Sequence, residues 1–167
     1  MRLPAVLLLL LAFVCIATGG CMREKQDTEL SRYVTEILPR LRSIERGALA
    51  EYEKVSGERY EDDAALFDAL RMVVVPALTG LISTAEIARP EMDALRHLHA
   101  SYVAVLEKEL SAFQLYVVSL DQQDADGQQR AIDQLRDAKE LMGAFERRLK
   151  EFCAERGVTM PPSAQES

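Results

Sequence analysis

The chain contains no tryptophan, and aromatic residues make up only 6% of its 167 residues. Stacking surfaces for sugars or for the bases of single-stranded nucleic acid depend on aromatic side chains, so this composition disfavours them. The formal net charge of −7 also lacks the excess of lysine and arginine that neutralises phosphates. Both properties argue against nucleic acid as a partner.

Motifs that mark several classes of enzyme and cofactor protein are also missing from the sequence. The chain has no Glu-x-x-His of carboxylate-bridged metal bundles and no Cys-x-x-Cys-His for covalent haem. It has no His-Glu-x-x-His, no glycine-rich phosphate loop and no Gly-x-Ser-x-Gly. We therefore predict a protein that is not an enzyme, with no catalytic residue, no metal site and no cofactor.

The amino terminus combines a basic residue, an apolar stretch and a cysteine in that order. Arg2 precedes an apolar stretch over residues 3–17, and the small residues 18–20 follow directly before Cys21. A positive start, about 7–15 apolar residues and a small-residue zone are typical of a secretory signal peptide. With a cysteine at its end, this pattern resembles the lipobox of bacterial lipoproteins, although Thr18 stands where that family usually has an aliphatic residue. The resemblance implies a signal peptide at 1–20 and acyl chains such as palmitate on Cys21.

Two alternatives to lipidation are open. An ordinary secretory signal could be cut after Gly19, which would leave Cys21 as a plain thiol. An uncleaved membrane anchor needs about 20 apolar residues, whereas this stretch has roughly 15. Lipidation is the favoured interpretation, because the small-residue zone ends at a cysteine. Two or three acyl chains would then give stable membrane attachment. In Gram-negative bacteria, Met22 in place of aspartate after the cysteine implies an outer-membrane protein that faces the periplasm.

Apolar residues recur three and four positions apart through the rest of the chain, which predicts helices rather than strands. We expect four helices: one from about Thr28 to Val55, a second from about Asp62, a third after Pro90 and a fourth after the polar segment 121–127. Pro39 should kink the first helix and Pro76 the second. The predicted inward-facing residues include Ile44, Ala77, Leu106 and Leu149.

One-sided helices of similar length with short connections favour an all-α, antiparallel up-down-up-down four-helix bundle. The predicted organisation is a signal peptide at 1–20, a lipidated linker at 21–27, a helical bundle at 28–156 and a disordered tail at 157–167. A long two-helix coiled coil is the main alternative.

Few polar residues suggest a site. Asp93 and His97 share a helix face, whereas His99 points elsewhere, so we expect His97 to pair with Asp93 at the surface and His99 to be a hydrogen-bonded residue at the core edge. Glu107 and Glu109 also diverge and are predicted to be solvated. Cys153 is expected to be a small apolar residue of the core, with an intermolecular disulfide as the alternative.

These observations favour a non-catalytic lipoprotein of the cell envelope that serves as an interaction or structural module. It would be held to the membrane through Cys21 and would bind an envelope protein. The alternative is a periplasmic helical bundle that binds a small apolar ligand or cofactor in its core. Cys21 is the only residue to which the sequence assigns a site.

Overall fold

The computed structural model describes residues 24–161, which form four long helices and no β-strand. Helix α1 covers residues 24–53, α2 spans Asp63–Ile87, α3 spans Asp93–Asp121 and α4 spans Ala125–Arg156. A short 3₁₀ turn, Gly57–Arg59, lies between α1 and α2. The all-α prediction is confirmed. Cys21, and with it the predicted signal peptide, lies outside the described residues.

Each of the first two helices contains one wide π-helical turn, Tyr33–Ile37 in α1 and Leu70–Val74 in α2. In both helices a proline follows the wide turn by two residues, at Pro39 and Pro76. Proline has no N–H to donate and its ring crowds the carbonyl four residues earlier, so a regular α-turn is unfavourable at that point. The wide turn relieves this conflict, and both helices continue past their proline.

A wide turn adds one residue to the helical repeat, and this changes which residues face the core after it. After the wide turn in α1, the buried residues are Leu38, Leu41, Glu45 and Ala48. Ile44, which was predicted to face inward, is 37% exposed, whereas Glu45 is only 3% exposed. That prediction was therefore wrong by one residue.

The same shift occurs in α2. Leu78 is fully buried, while the neighbouring Ala77 that was predicted to face inward is only half-buried. In α3 and α4, which have no wide turn, the predicted core residues Leu106 and Leu149 are buried. Ile44 and Ala77 both lie beyond a wide turn, although Leu41, Ala48 and Leu81 beyond the same turns are buried.

Helix boundaries differ from the predicted ones at several places. The first helix is already formed at residue 24 rather than at Thr28, so part of the predicted linker is helical. The fourth begins at Ala125, within the segment predicted as a loop. At the other end, Gly157 adopts a left-handed conformation that closes α4, and Val158 and Met160 of the predicted tail pack against the core.

Contacts from other helices hold the amino-terminal end of α1. The carboxylate of Glu29 accepts hydrogen bonds from the backbone N–H groups of Glu91, at 2.5 Å, and Met92, at 3.1 Å. These amides precede α3, so a residue of α1 supplies the cap that α3 lacks locally. Arg156, at the end of α4, donates to Gln26 at 3.1 Å. The start of α1 is thus tied to both α3 and α4.

Gly127 marks the closest approach between α4 and the end of α3. A Cβ atom at this position would lie 2.9 Å from the Ser119 Cβ and closer still to its hydroxyl oxygen. Ser119 is buried, so it has little room to move.

We expect Gly127→Ala to lower the free energy of unfolding by about 1–3 kcal/mol, as overpacking does, even though alanine favours helix formation. Chemical denaturation of the full-length protein measures this change. Gly143 provides the matched control, because a Cβ there meets only the flexible end of Arg147 at 3.5 Å. Equal stability of Gly127→Ala and Gly143→Ala would show that the α3–α4 junction tolerates the extra methyl group.

Candidate functional site

A group of charged and polar side chains extends from the helical core to the surface, where Glu146 is exposed. It consists of Arg42 and Glu45 from α1, Tyr102 and Glu109 from α3, and Glu146 from α4, and we call it the Glu45 cluster. Glu45 enters the core because of the register shift after the first wide turn. A buried carboxylate is costly unless it is paired, so the surroundings of Glu45 decide its charge.

Glu45 has two partners. The Tyr102 hydroxyl donates a hydrogen bond of 2.9 Å to Glu45 Oε2, and Arg42 donates to Oε1 at 3.4 Å. Arg42 also pairs with Glu146 of α4 and lies over the Tyr102 ring, 5.6 Å from its centroid. Burial raises the pKa of Glu45, while Arg42 and the Tyr102 hydrogen bond act in the opposite direction.

Glu109 is the least satisfied member of the cluster. Its side chain is 7% exposed, and its Oε2 atom is buried without a hydrogen-bond partner among residues 24–161. Burial, followed by the nearby negative charge of Glu45, raises the pKa of Glu109 to about 8, although Arg42 opposes the shift. Glu109 is therefore largely protonated at neutral pH. The prediction that Glu109 is solvated was wrong, whereas Glu107 is exposed as expected.

His99 forms a second buried polar contact beside this cluster. Its Nε2 lies 2.8 Å from the carbonyl oxygen of Ala85, which can only accept, so Nε2 carries the proton. Its Nδ1 lies 3.0 Å from the Tyr33 hydroxyl, which then donates to it. Burial lowers the pKa of His99 and favours this neutral form. The expectation of a hydrogen-bonded histidine is confirmed, and the contact joins α1, α2 and α3.

The other histidine lies at the surface, as predicted, but without the predicted partner. Asp93 forms its ion pair with Arg96, three residues later, at 2.8 Å. His97 is exposed and points away from His99. Within residues 24–161, no three histidine, cysteine, aspartate or glutamate side chains gather in a way that could hold a metal ion.

Cys153 is buried in α4 and is a free thiol, in agreement with the prediction of a core residue. Burial raises the pKa of this thiol, which disfavours the reactive thiolate.

The outer side of α2 has a different character. Between Arg71 and Glu86 this helix carries no charged residue. Met72 is 69% exposed and Ile87 is 87% exposed, and both project from this side. We call the exposed residues Met72, Val73, Pro76, Thr79, Gly80, Ser83 and Ile87 the α2 face.

The hydroxyl groups on and beside the α2 face are satisfied within the helix. Thr79 donates to the Val75 carbonyl at 2.8 Å and Ser83 donates to the Thr79 carbonyl at 3.2 Å. Thr84 makes the same kind of bond to Gly80. All three hydroxyl groups therefore donate to backbone carbonyls of their own helix. These bonds leave no hydroxyl hydrogen on this face that requires water.

A groove of about 740 Å³ lies between the start of α1 and the α2–α3 junction. Its apolar lining comes from Ile37, Ile87 and Leu95, and charged residues such as Lys25 and Arg89 surround them. The groove is open to solvent and includes one end of the α2 face.

By length and composition alone, one helix within residues 24–161, Asp63–Ile87, meets the requirements for crossing a membrane, with a mean hydropathy of 1.8. Only 28% of its most apolar window is buried inside the protein. Comparisons of the chain with protein-family models, with curated proteins and with solved structures give no match.

Proposed function

We propose that this protein is a lipid-anchored, non-catalytic component of a bacterial cell envelope and that its helical domain binds another protein. The α2 face is the observation that carries this proposal. Apolar side chains as exposed as Met72 and Ile87, on a helix side without charge, are typical of an interaction surface.

We also propose that the four helices form an up-down-up-down antiparallel bundle. Helices α1 and α3 run parallel, because Tyr33 contacts His99 and the later residue Tyr52 contacts the later residue Phe113. Helices α3 and α4 run antiparallel, because Tyr102 contacts Phe145 while the later residue Lys108 contacts the earlier residue Asp137. Both patterns support that topology.

The membrane attachment rests on the lipobox resemblance at Cys21. In a Gram-negative source, Met22 further supports the outer membrane, with the domain facing the periplasm.

We expect Cys21→Ser to move the full-length protein from the membrane to the soluble fraction, because the thiol that accepts the lipid is lost. Fractionation of cells that express each form, with mass spectrometry of the amino-terminal peptide, measures this change. Cys153→Ser is the matched control, since it removes a cysteine without removing the proposed attachment site. A wild-type amino-terminal peptide without acyl mass contradicts the anchor.

Protein binding through α2 is tested with a photo-crosslinking amino acid at Thr79 in wild-type cells. Adducts with protein are expected at this position and not at Glu140, an exposed residue of α4. If both positions give the same adducts, the α2 face is not a specific surface.

A second function, the binding of a small apolar molecule, is favoured by the groove beside Ile37 and Leu95. A bound lipid or other apolar compound that is extracted from the purified protein, and is lost in Leu95→Glu, supports it.

A further inference from the structure

We infer that the α2 face binds the α2 face of a second copy of this chain, with the two helices antiparallel about a two-fold axis between Thr79 and Gly80. This inference rests on the proposed function, since it names the partner of the same surface.

The first argument is the order of residues along the face. A two-fold axis between Thr79 and Gly80 places Met72 opposite Ile87 of the second copy. It also places Pro76 opposite Ser83. The large apolar side chains thus meet at both ends and the small residues meet in the middle, which is the self-complementarity that a two-fold interface requires.

The second argument is the space at the centre. A Cβ at Gly80 would meet nothing within 4 Å, so the backbone there is open to an approaching surface. The neighbouring hydroxyls of Thr79 and Ser83 already donate within their own helix. Two helices with small, internally satisfied residues at their crossing point can bring their backbones close together.

The third argument is charge. Arg71 lies near one end of the α2 face and Glu86 near the other, and both are exposed. An α-helix turns by about 100° per residue, and the wide turn before Val75 turns by less. Together these rotations place the Arg71 and Glu86 side chains on the same edge of the α2 face. In an antiparallel pair the same edges meet, so Arg71 of each copy lies near Glu86 of the other. Lipid or an uncharged partner would gain nothing from this arrangement, and we therefore favour a second copy.

Two differently tagged copies of the full-length protein, one with Met72→Cys and one with Ile87→Cys, test the geometry in native membranes. Mild oxidation should link the Met72→Cys copy to the Ile87→Cys copy several-fold more efficiently than it links either variant to itself. Glu140→Cys paired with either variant serves as the control for random collision. Efficient linkage of Met72→Cys with itself contradicts the antiparallel arrangement.

Charge substitution tests the partner independently. Arg71→Glu and Glu86→Arg should each lower the linked fraction several-fold, because like charges then face each other across the axis. The double variant Arg71→Glu/Glu86→Arg should restore it, a result that a merely folding-defective protein would not give.

The outcomes separate this inference from the proposed function. Crosslinks from Thr79 to a different protein only would overturn self-pairing and leave the interaction module standing. The absence of any protein adduct from the α2 face would overturn both.

Discussion

Glu109→Gln is expected to raise the free energy of unfolding at alkaline pH and to remove most of its dependence on pH. In the folded chain the pKa of Glu109 is raised to about 8 from an ordinary value of 4.5. Between these values the folded state binds a proton that the unfolded state has released, so the contribution of Glu109 to stability is complete below about pH 4.5 and is lost as pH rises toward 8. The loss is about 1.4 kcal/mol per pH unit and approaches about 5 kcal/mol above pH 8.

Urea unfolding of the full-length protein between pH 4.5 and 9 measures this slope. Glu107→Gln is the matched control, because Glu107 lies on the same helix and is exposed. A smaller downward slope should persist in Glu109→Gln, since burial also raises the pKa of Glu45. An identical slope in wild type and Glu109→Gln would show that the Glu109 carboxyl ionises in the core without penalty.

Arg42→Met is expected to lower the free energy of unfolding by about 3–5 kcal/mol at pH 7, because it leaves the buried Glu45 carboxylate without its cation. The methionine keeps much of the side-chain volume over the Tyr102 ring, so lost packing contributes less than lost charge. The defect should diminish as the pH is lowered, because burial raises the pKa of Glu45 and protonation removes its charge.

Arg40→Met on the exposed side of α1 is the control for this change. The double variant Arg42→Met/Glu45→Gln should recover much of the lost stability, because it removes the unpaired charge. If the double variant is as unstable as Arg42→Met alone, the role of Arg42 is packing rather than neutralisation.

Sequence periodicity predicts the existence and type of the four helices because each buries one apolar stripe. It locates Asp62 at the start of α2, where its carboxylate accepts from the Ala65 N–H at 2.8 Å. It misplaces Ile44 and Ala77, which lie beyond Pro39 and Pro76, since a regular repeat does not allow for the additional residue of each wide turn. Leu41, Ala48 and Leu81, also beyond these prolines, are buried.

The Glu45 cluster was not predicted for a different reason. Charged residues such as Glu45 and Glu109 are ordinarily assigned to the solvent side of a helix. The buried position of Glu45 is tolerable because Arg42, three residues earlier on the same helix, and Tyr102 of α3 both donate hydrogen bonds to it. The spacing of Arg42 and Glu45 is visible in the sequence, but the approach of Tyr102 from α3 is not. No local sequence pattern contains that information, although a proline that displaces the repeat gives a warning that the phase can change.

The contacts of Glu29 and Arg156 have a mechanical meaning for a chain held by its amino terminus. If Cys21 is lipidated as proposed, tension from that anchor would enter the domain at the start of α1. There the Glu29 carboxylate accepts a hydrogen bond from the Met92 N–H before α3, and Arg156 of α4 donates a hydrogen bond to Gln26. A pull on the proposed anchor would therefore load three helices in shear and would not separate α1 one turn at a time.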